Sequence, residues 1–279
     1  MLFTTTALLA TLLATQSADT TIAVAKGTRL SVNNHEGQIT VTGWGRDEVQ
    51  IRSTTNDGDA GVRVERTGSE LLVSQRMRHG PSEMALTISA PAWMALDLQG
   101  VEVGITVSGM AGPIKARSVD GDVTLSGGAG NVSLSSTDGS VSATGVRGSL
   151  DIQAVDGEVR VRNLVGPLNI QGIDGDILLE DITSPSVRVN TVDGSISYSG
   201  TFAPSGSYSL KTHDGGITIR PQGAFNATVS VATWDGEFES AYPITITGNQ
   251  AGKRFTFTLG TGSARVELDS FDGLIRIDK

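Results

Sequence analysis

Eight Asp-Gly dipeptides are the residues of this sequence whose type and spacing could do chemistry. They are Asp120-Gly121, Asp138-Gly139, Asp156-Gly157, Asp174-Gly175, Asp193-Gly194, Asp214-Gly215, Asp235-Gly236 and Asp272-Gly273. If the dipeptides stack at the strand spacing of about 4.8 Å, their carboxylates form a column that could attract Ca²⁺, which takes several oxygen ligands. Alternatively, each Asp accepts hydrogen bonds from its own turn, and each Gly takes a positive φ without steric cost. We favour this structural turn ladder and predict no metal site.

A second chemistry would be cleavage of a polysaccharide, because enzymes on β-helices use clustered carboxylates. The candidates are the acids that we expect to point outward: Asp122, Asp151, Glu158, Asp176 and Glu180. Three of them, Asp122, Glu158 and Asp176, each follow an Asp-Gly turn, although Ser140 interrupts their column. A solvated rim explains these acids equally well, and the sequence has no Gly-x-Ser-x-Gly, His-Glu-x-x-His or phosphate-loop motif. We predict a protein that is not an enzyme and uses no cofactor.

Tryptophan side chains could bind sugar rings by stacking, and the chain has three, Trp44, Trp93 and Trp234. Trp234 directly precedes Asp235, a position that we predict to point into the core. Trp44 follows a glycine and is the one tryptophan that we retain as a candidate binding residue. The outer strand faces are rich in Ser and Thr, and their hydroxyls could contact a glycan or simply keep the protein soluble.

The dipeptides belong to a repeat that would position all of these residues. Successive Asp-to-Asp spacings are 18, 18, 18, 19, 21, 21 and 37 residues, and the last gap has room for two units of which one lacks its dipeptide. Each unit consists of two short segments of alternating apolar and polar residues joined by a Gly-containing corner. That alternation indicates β-strands with one buried face.

Superposing the units places apolar residues in three inward columns. The first column is Val123, Val141, Val159, Ile177, Ile196, Ile217 and Phe238; the second is Leu134, Ile152, Ile170, Val189, Leu210 and Val231; the third is Met110, Val146, Leu164, Ile182 and Phe202. A single coil cannot bury its apolar residues, but a stack of coils shares one core. The sequence therefore predicts an all-β, single-domain parallel β-solenoid (β-helix) with coils of about 18–21 residues.

Composition and charge limit the cellular compartment and the classes of partner that the sequence allows. Residues 2–14 are apolar and uncharged, so we predict a signal peptide over residues 1–18, followed by an N-terminal β cap of irregular coils over 19–100 and the regular solenoid over 101–279. The net charge of −9 argues against nucleic acid and anionic membrane surfaces as partners. No segment after the signal peptide could insert into a membrane. The absence of cysteine excludes disulfides and thiolate metal sites.

The chain resembles the "putative adhesin" β-strand-repeat family, domain of unknown function 4097. The resemblance rests on Thr28–Trp44, on the recurring Val-Asp-Gly-x-Ile/Val units and on the closing Ser270–Ile277. It implies a bacterial envelope or surface protein that is exported to the periplasm, the cell surface or the medium, and it carries over no catalytic residue. Three functions stay open: binding of a surface glycan or envelope protein along the solenoid faces, a structural or signalling envelope module without external ligand, and a polysaccharide-active enzyme.

Overall fold

The computed structural model describes residues 19–55, 61–76, 83–245 and 254–279, so the predicted signal peptide lies outside the described residues. Every regular element in these ranges is a β-strand. The strands are β1 (Thr20–Ala23), β2 (Arg29–Trp44), β3 (Glu48–Thr55), β4 (Gly61–Thr67), β5 (Glu70–Arg76), β6 (Met84–Pro91), β7 (Ala95–Ser108), β8 (Ile114–Asp120), β9 (Val123–Ser126), β10 (Ala129–Asp138), β11 (Val141–Thr144), β12 (Arg147–Asp156), β13 (Val159–Arg162), β14 (Leu168–Gln171), β15 (Ile177–Asn190), β16 (Ile196–Asp214), β17 (Ile217–Pro221), β18 (Ala227–Thr233), β19 (Phe238–Ser240), β20 (Arg254–Leu259), β21 (Ala264–Asp272) and β22 (Ile275–Ile277).

The regular coils stack in parallel, with like residues aligned. β10 lies between β8 and β12, and Val132 pairs with Ile114 on one side and Leu150 on the other, an offset of 18 residues each way. The second strand of each coil follows the same rule, since β11 lies between β9 and β13. Parallel strands need a connection that returns the chain to its starting edge, and here the rest of the coil provides it. The predicted all-β parallel solenoid is confirmed.

The stacked inward side chains of successive coils form one continuous core. The three predicted inward columns are buried, apart from Phe202 and Phe238, which are half-buried. The alternating pattern explains this, because every second side chain of a strand points to the same side. Ile275 completes the first column between Ile217 and Phe238, and Leu268 occupies the matching place between Leu210 and Val231.

At the C-terminal end the coils do not stack in chain order. β21 lies between β16 and β18 and is parallel to both, and β22 lies between β17 and β19 in the same way. The last segment of the chain, β21 and β22, thus lies between the coil of β16 and β17 and the coil of β18 and β19. β20 then pairs antiparallel with the outer edge of β18. The 37-residue gap has room for two successive units, but it contains this reversed strand and the return to the inserted position instead.

The N-terminal end has the same kind of order. β2 lies between β7 on one side and the pair β5 and β6 on the other, all parallel. Outside that layer, β4 runs antiparallel to β5, and β3 runs antiparallel to β6. β1 pairs antiparallel with β3. In the ranges that the structure describes, no helix is long and apolar enough to cross a membrane.

Candidate functional site

The Asp-Gly dipeptides form a line along one edge of the solenoid. Asp120, Asp138 and Asp156 are paired in register across adjacent strands. The Gly121 amide donates to the Asp138 carbonyl at 3.0 Å, and Gly139 donates to Asp156 at 3.0 Å. The dipeptide is therefore one of the points at which adjacent coils are hydrogen-bonded to each other.

Glycine is needed in this line for both conformation and space. Seven of the eight glycines have φ between 120° and 156°, a region that side chains rarely adopt. They are Gly121, Gly139, Gly157, Gly175, Gly194, Gly215 and Gly273; Gly236 is the exception. A Cβ at Gly157 would lie 2.5 Å from the Gly139 carbonyl oxygen, and one at Gly236 would lie 1.9 Å from the Gly273 carbonyl oxygen. At these glycine positions the adjacent coils approach too closely for a side chain.

A buried hydroxyl supports most of these turns, and the sequence interpretation missed it. Ser136 Oγ donates to the Gly121 carbonyl at 2.9 Å, Ser270 Oγ to that of Gly215 at 2.9 Å, and Thr212 Oγ1 to that of Gly194 at 3.0 Å. A Ser or Thr stands two residues before Asp in six of the eight units: Ser118, Ser136, Thr191, Thr212, Thr233 and Ser270. This recurring Ser/Thr-x-Asp-Gly pattern is the signal that could have revealed the inward hydroxyl. Across the described ranges, no group of three His, Asp or Glu side chains is arranged to hold a metal ion.

The residue before each Asp points outward, which reverses the prediction for Trp234. Trp234 is 68% exposed, and our expectation that it lies in the core is wrong. The reason is that Thr233, one position earlier, is half-buried and turned inward, and neighbouring strand residues face opposite sides. We call the resulting line of side chains the edge stripe. In stacking order it comprises Val101, Val119, Thr137, Val155, Ile173, Val192, His213, Phe271 and Trp234.

The edge stripe ends in three stacked rings. His213 and Phe271 have ring centroids 4.7 Å apart with an interplanar angle of 13°, and Phe271 and Trp234 are 6.0 Å apart at 4°. These rings are adjacent only because β21 is inserted between β16 and β18. Two aliphatic members of the stripe, Ile173 and Val192, are 51% and 52% exposed. The stripe is thus a row of mostly apolar side chains, interrupted by Thr137 and His213, beside the row of turn aspartates.

The other two tryptophans lie at the opposite end of the stack. Trp44 is half-buried, donates from Nε1 to the Glu48 carbonyl at 2.7 Å, and has the Arg46 guanidinium 5.1 Å from its ring centroid. Trp93 donates from Nε1 to Asp47 Oδ1 at 3.0 Å. Strand β2, which carries Trp44, is separated from β18 by the whole series of regular coils, so the three tryptophans do not form one platform.

The acids considered for catalysis each contact a neighbour in their own or the adjacent coil. Asp122 accepts the Ser140 amide at 2.8 Å, and Asp176 accepts the Ser195 amide at 2.8 Å. Asp151 accepts from Asn169 Nδ2 at 2.6 Å. The remaining two acids form ion pairs, Glu158 with Arg160 and Glu180 with Arg162. Four of these five contacts link adjacent coils, and the Glu158–Arg160 pair lies within one coil.

Comparison with solved structures finds two proteins that share this fold and a third that matches with a lower TM-score. A protein of Parabacteroides distasonis described as a "putative adhesin" is 11% identical, with a TM-score of 0.52 over 95% of this chain and 98% of that chain. A "putative lipid binding protein" from the same organism is 11% identical, with a TM-score of 0.50 over 94% and 96% of the two chains. A "putative adhesin" of Bacteroides fragilis is 14% identical, with a TM-score of 0.37 over 95% and 98%.

Comparison with curated proteins gives no match. The family model described as Toastrack DUF4097 matches residues 28–278, which takes in every strand from β2 to β22. The matched range includes the Asp-Gly line, the edge stripe and the strands at both ends of the stack. This chain belongs to the Toastrack DUF4097 family.

Proposed function

We propose that this protein is an exported, non-enzymatic, adhesin-like β-solenoid that binds a surface glycan or an envelope protein through its edge stripe. The observation that carries the proposal is the exposure of that stripe. Six of its side chains, all apolar, are more than 40% exposed along one edge: Val119, Val155, Ile173, Val192, Trp234 and Phe271. Contiguous exposed apolar side chains rimmed by polar groups are typical of interaction surfaces.

The repeat itself favours a role for the stripe beyond folding. A turn needs Gly for its conformation and a buried hydroxyl to bond the next coil, but nothing in the turn requires an apolar residue between them. A polar residue there would be better solvated, as Thr137 illustrates in one coil. Retaining Val, Ile, Phe or Trp at an exposed position is the feature that a binding surface explains.

Composition supports the proposed export and the proposed choice of partner. Residues 2–14 have the length and lack of charge of a signal-peptide core, and the small residues Ser17 and Ala18 precede Asp19. An acidic chain of net charge −9 is repelled by nucleic acid and by anionic lipid surfaces. The P. distasonis proteins of this fold, described as a "putative adhesin" and a "putative lipid binding protein", are consistent with a binding role.

The test is retention of the purified protein on a panel of immobilised envelope glycans and envelope proteins, with release of soluble sugar measured in parallel. The variant Val155→Ser/Ile173→Ser/Val192→Ser removes the middle of the stripe. The control Gln153→Ala/Gln171→Ala/Asn190→Ala changes outward residues two positions earlier in the same coils. We expect retention of the wild type and the control, and roughly tenfold or greater loss for the stripe variant.

Each other outcome rejects part of the proposal. Equal retention of the stripe variant would show that the stripe is not the binding surface. No retention of the wild type on any member of the panel would contradict the adhesin-like function and favour an envelope module without external ligand. Release of sugar fragments would contradict the non-enzymatic assignment and direct attention to Asp122, Glu158 and Asp176.

A further inference from the structure

A groove runs over the outer face of β18, next to the stacked rings. Its floor is formed by the outward side chains Ser230 and Ala232, and its two sides are β21 and β20, which flank β18. Two cavities of about 350 and 280 Å³ fill this space and share Ala232 and Arg254 as lining residues. We call this feature the β18 groove.

Charged side chains of both signs form the walls of the groove. On β21 the outward residues are Arg265, Glu267 and Asp269, and on β20 they include Thr256 and Arg254. Ala232 pairs in register with Asp269 on one side and with Arg254 on the other. An acid and a base therefore face each other across a methyl group, two strand spacings or about 10 Å apart.

One end of the groove is closed by aromatic rings. Trp234 follows Ala232 by two residues and points to the same side, and Phe271 stands in the same relation to Asp269. Both rings line the cavity of about 280 Å³ together with Arg254 and Asp269. The indole of Trp234 is 68% exposed, and Phe271 holds it from one side at an interplanar angle of 4°.

The backbone of β18 offers no free edge on the floor of the groove. β18 is paired on both sides, in parallel with β21 and antiparallel with β20. An extended peptide that binds by adding a strand needs a free sheet edge, whereas a ligand on this floor would meet side chains. A ligand must therefore bring its own donors and acceptors for carboxylate, guanidinium and hydroxyl groups, together with an apolar face for the rings.

We propose that the β18 groove binds a short neutral saccharide, with one sugar ring against Trp234. Sugar hydroxyls both donate and accept, so they suit Asp269 and Arg254 at once, and the C–H face of a pyranose suits an indole. Arg254 and Arg265 balance Glu267 and Asp269 in charge, which favours a neutral ligand over an acidic one. Lys211 holds Glu267 with a hydrogen bond of 2.8 Å on the side away from β18.

This inference rests on the proposed binding function and names a ligand class and a site for it. The full chain would be titrated with neutral di- and trisaccharides of glucose, galactose and N-acetylglucosamine, and binding would be followed by saturation-transfer NMR and calorimetry. Trp234→Ala removes the ring, and Ala232→Leu fills the groove from its half-exposed floor. Ser142→Leu places the same bulky side chain on an outward position of β11 and is the control.

We expect at least one saccharide to bind the wild type and Ser142→Leu equally, and to bind Trp234→Ala and Ala232→Leu about tenfold more weakly or not at all. All variants should keep the wild-type circular dichroism spectrum. Saccharide binding that is unchanged in Ala232→Leu would overturn the inference, as would no binding by the wild type. Retention that depends on Val155, Ile173 and Val192 without saccharide binding would reject this site and leave the proposed function intact. Saccharide binding in the groove, together with retention that does not depend on Val155, Ile173 and Val192, would support this site and reject the edge stripe as the binding surface.

Discussion

The glycine of each Asp-Gly pair allows two adjacent coils to approach closely. At Gly157 two effects coincide, a φ of 139° and a carbonyl oxygen of the adjacent coil that would lie only 2.5 Å from a Cβ. The first costs any other residue about 1–3 kcal/mol, and the second forces the coils apart. The glycine thus stabilises the stack because it has no side chain.

Gly157→Ala is expected to lower the free energy of unfolding by at least about 2 kcal/mol, measured from the urea midpoint at constant m-value. The control is Gly104→Ala, because Gly104 lies on β7 with no atom within 4 Å of a Cβ and without a positive φ. This control should change stability by less than about 0.5 kcal/mol. Equal effects of the two substitutions would contradict the steric account of the turn.

The sequence predicts a residue's burial only where it shows whether the side chain points into or out of the coil, and this direction is hard to read next to the turn. The spacing of the dipeptides and the two-residue alternation were sufficient to place Val123, Ile152 and their equivalents in the core. They were not sufficient for Trp234, because a bulky apolar residue before a turn fits a core position on chemistry alone. The hydroxyl of Thr233 points inward and accepts a hydrogen bond from the Gly236 amide at 3.0 Å, so the next side chain, that of Trp234, points outward. This hydrogen bond belongs to the folded turn and is not visible in the sequence pattern.

Among the elements, β15 and β16 are the longest strands of the second half, and aromatic side chains fill the space where they bend. Tyr198 and Tyr208 are buried with ring centroids 6.2 Å apart, and Phe202 lies 4.5 Å from Tyr208. Tyr198 Oη donates to the Thr201 carbonyl at 3.2 Å, and Tyr208 Oη donates to the Ser184 carbonyl at 2.6 Å. Burial raises the pKa of Tyr198, and the neighbouring Tyr208 raises it further.

The Tyr198 shift predicts a loss of stability at alkaline pH. In the unfolded chain the phenol titrates near its ordinary pKa of 10.0, whereas the folded protein keeps it protonated. Its contribution is therefore complete below pH 10 and is lost as the pH rises above that value. Tyr198→Phe should cost about 1 kcal/mol at pH 8 through the lost hydrogen bond.

The same variant should lose less stability than the wild type between about pH 9.5 and 11.5, as measured by urea unfolding at each pH. Tyr242→Phe is the control, since Tyr242 is only partly buried and packs at the edge of the core. A decline of equal steepness in Tyr198→Phe and the wild type would contradict the assignment of the alkaline loss to this phenol.

Strand pairing shows which elements a repeat can reveal. Units of equal length with like residues in like places predict parallel, in-register stacking, and β8 to β15 follow it. The antiparallel strands β3, β4 and β20 belong to no unit, so periodicity carries no information about them. Their place is set by a physical need of the ends, because an unpaired strand edge invites association with other chains.

At the scale of the whole molecule, both ends of the stack depart from chain order in the same manner. β2 is enclosed between β7 and the layer of β5 and β6, and β21 is enclosed between β16 and β18. Each end thus holds a coil whose neighbours in space are distant in sequence. The 37-residue gap between Asp235 and Asp272 indicates an irregularity but is equally compatible with two ordinary coils, so only tertiary pairing determines the order.

The ring stack and the β18 groove exist only if β21 lies between β16 and β18, so the stacking order at the C-terminal end is the feature to measure. The chain contains no cysteine, so paired cysteines can report the order without interference. Ser209 pairs in register with Glu267, and Glu267 pairs in turn with Ser230. The measurement is disulfide formation in Ser209→Cys/Glu267→Cys compared with Ser209→Cys/Ser230→Cys. Adjacent strands about 4.8 Å apart are within reach of a disulfide, while strands about 10 Å apart are not. Because β21 lies between β16 and β18, we expect rapid oxidation of the first pair and none of the second. Oxidation of the second pair in preference to the first would mean that the coils stack in chain order and that β21 is not inserted between β16 and β18.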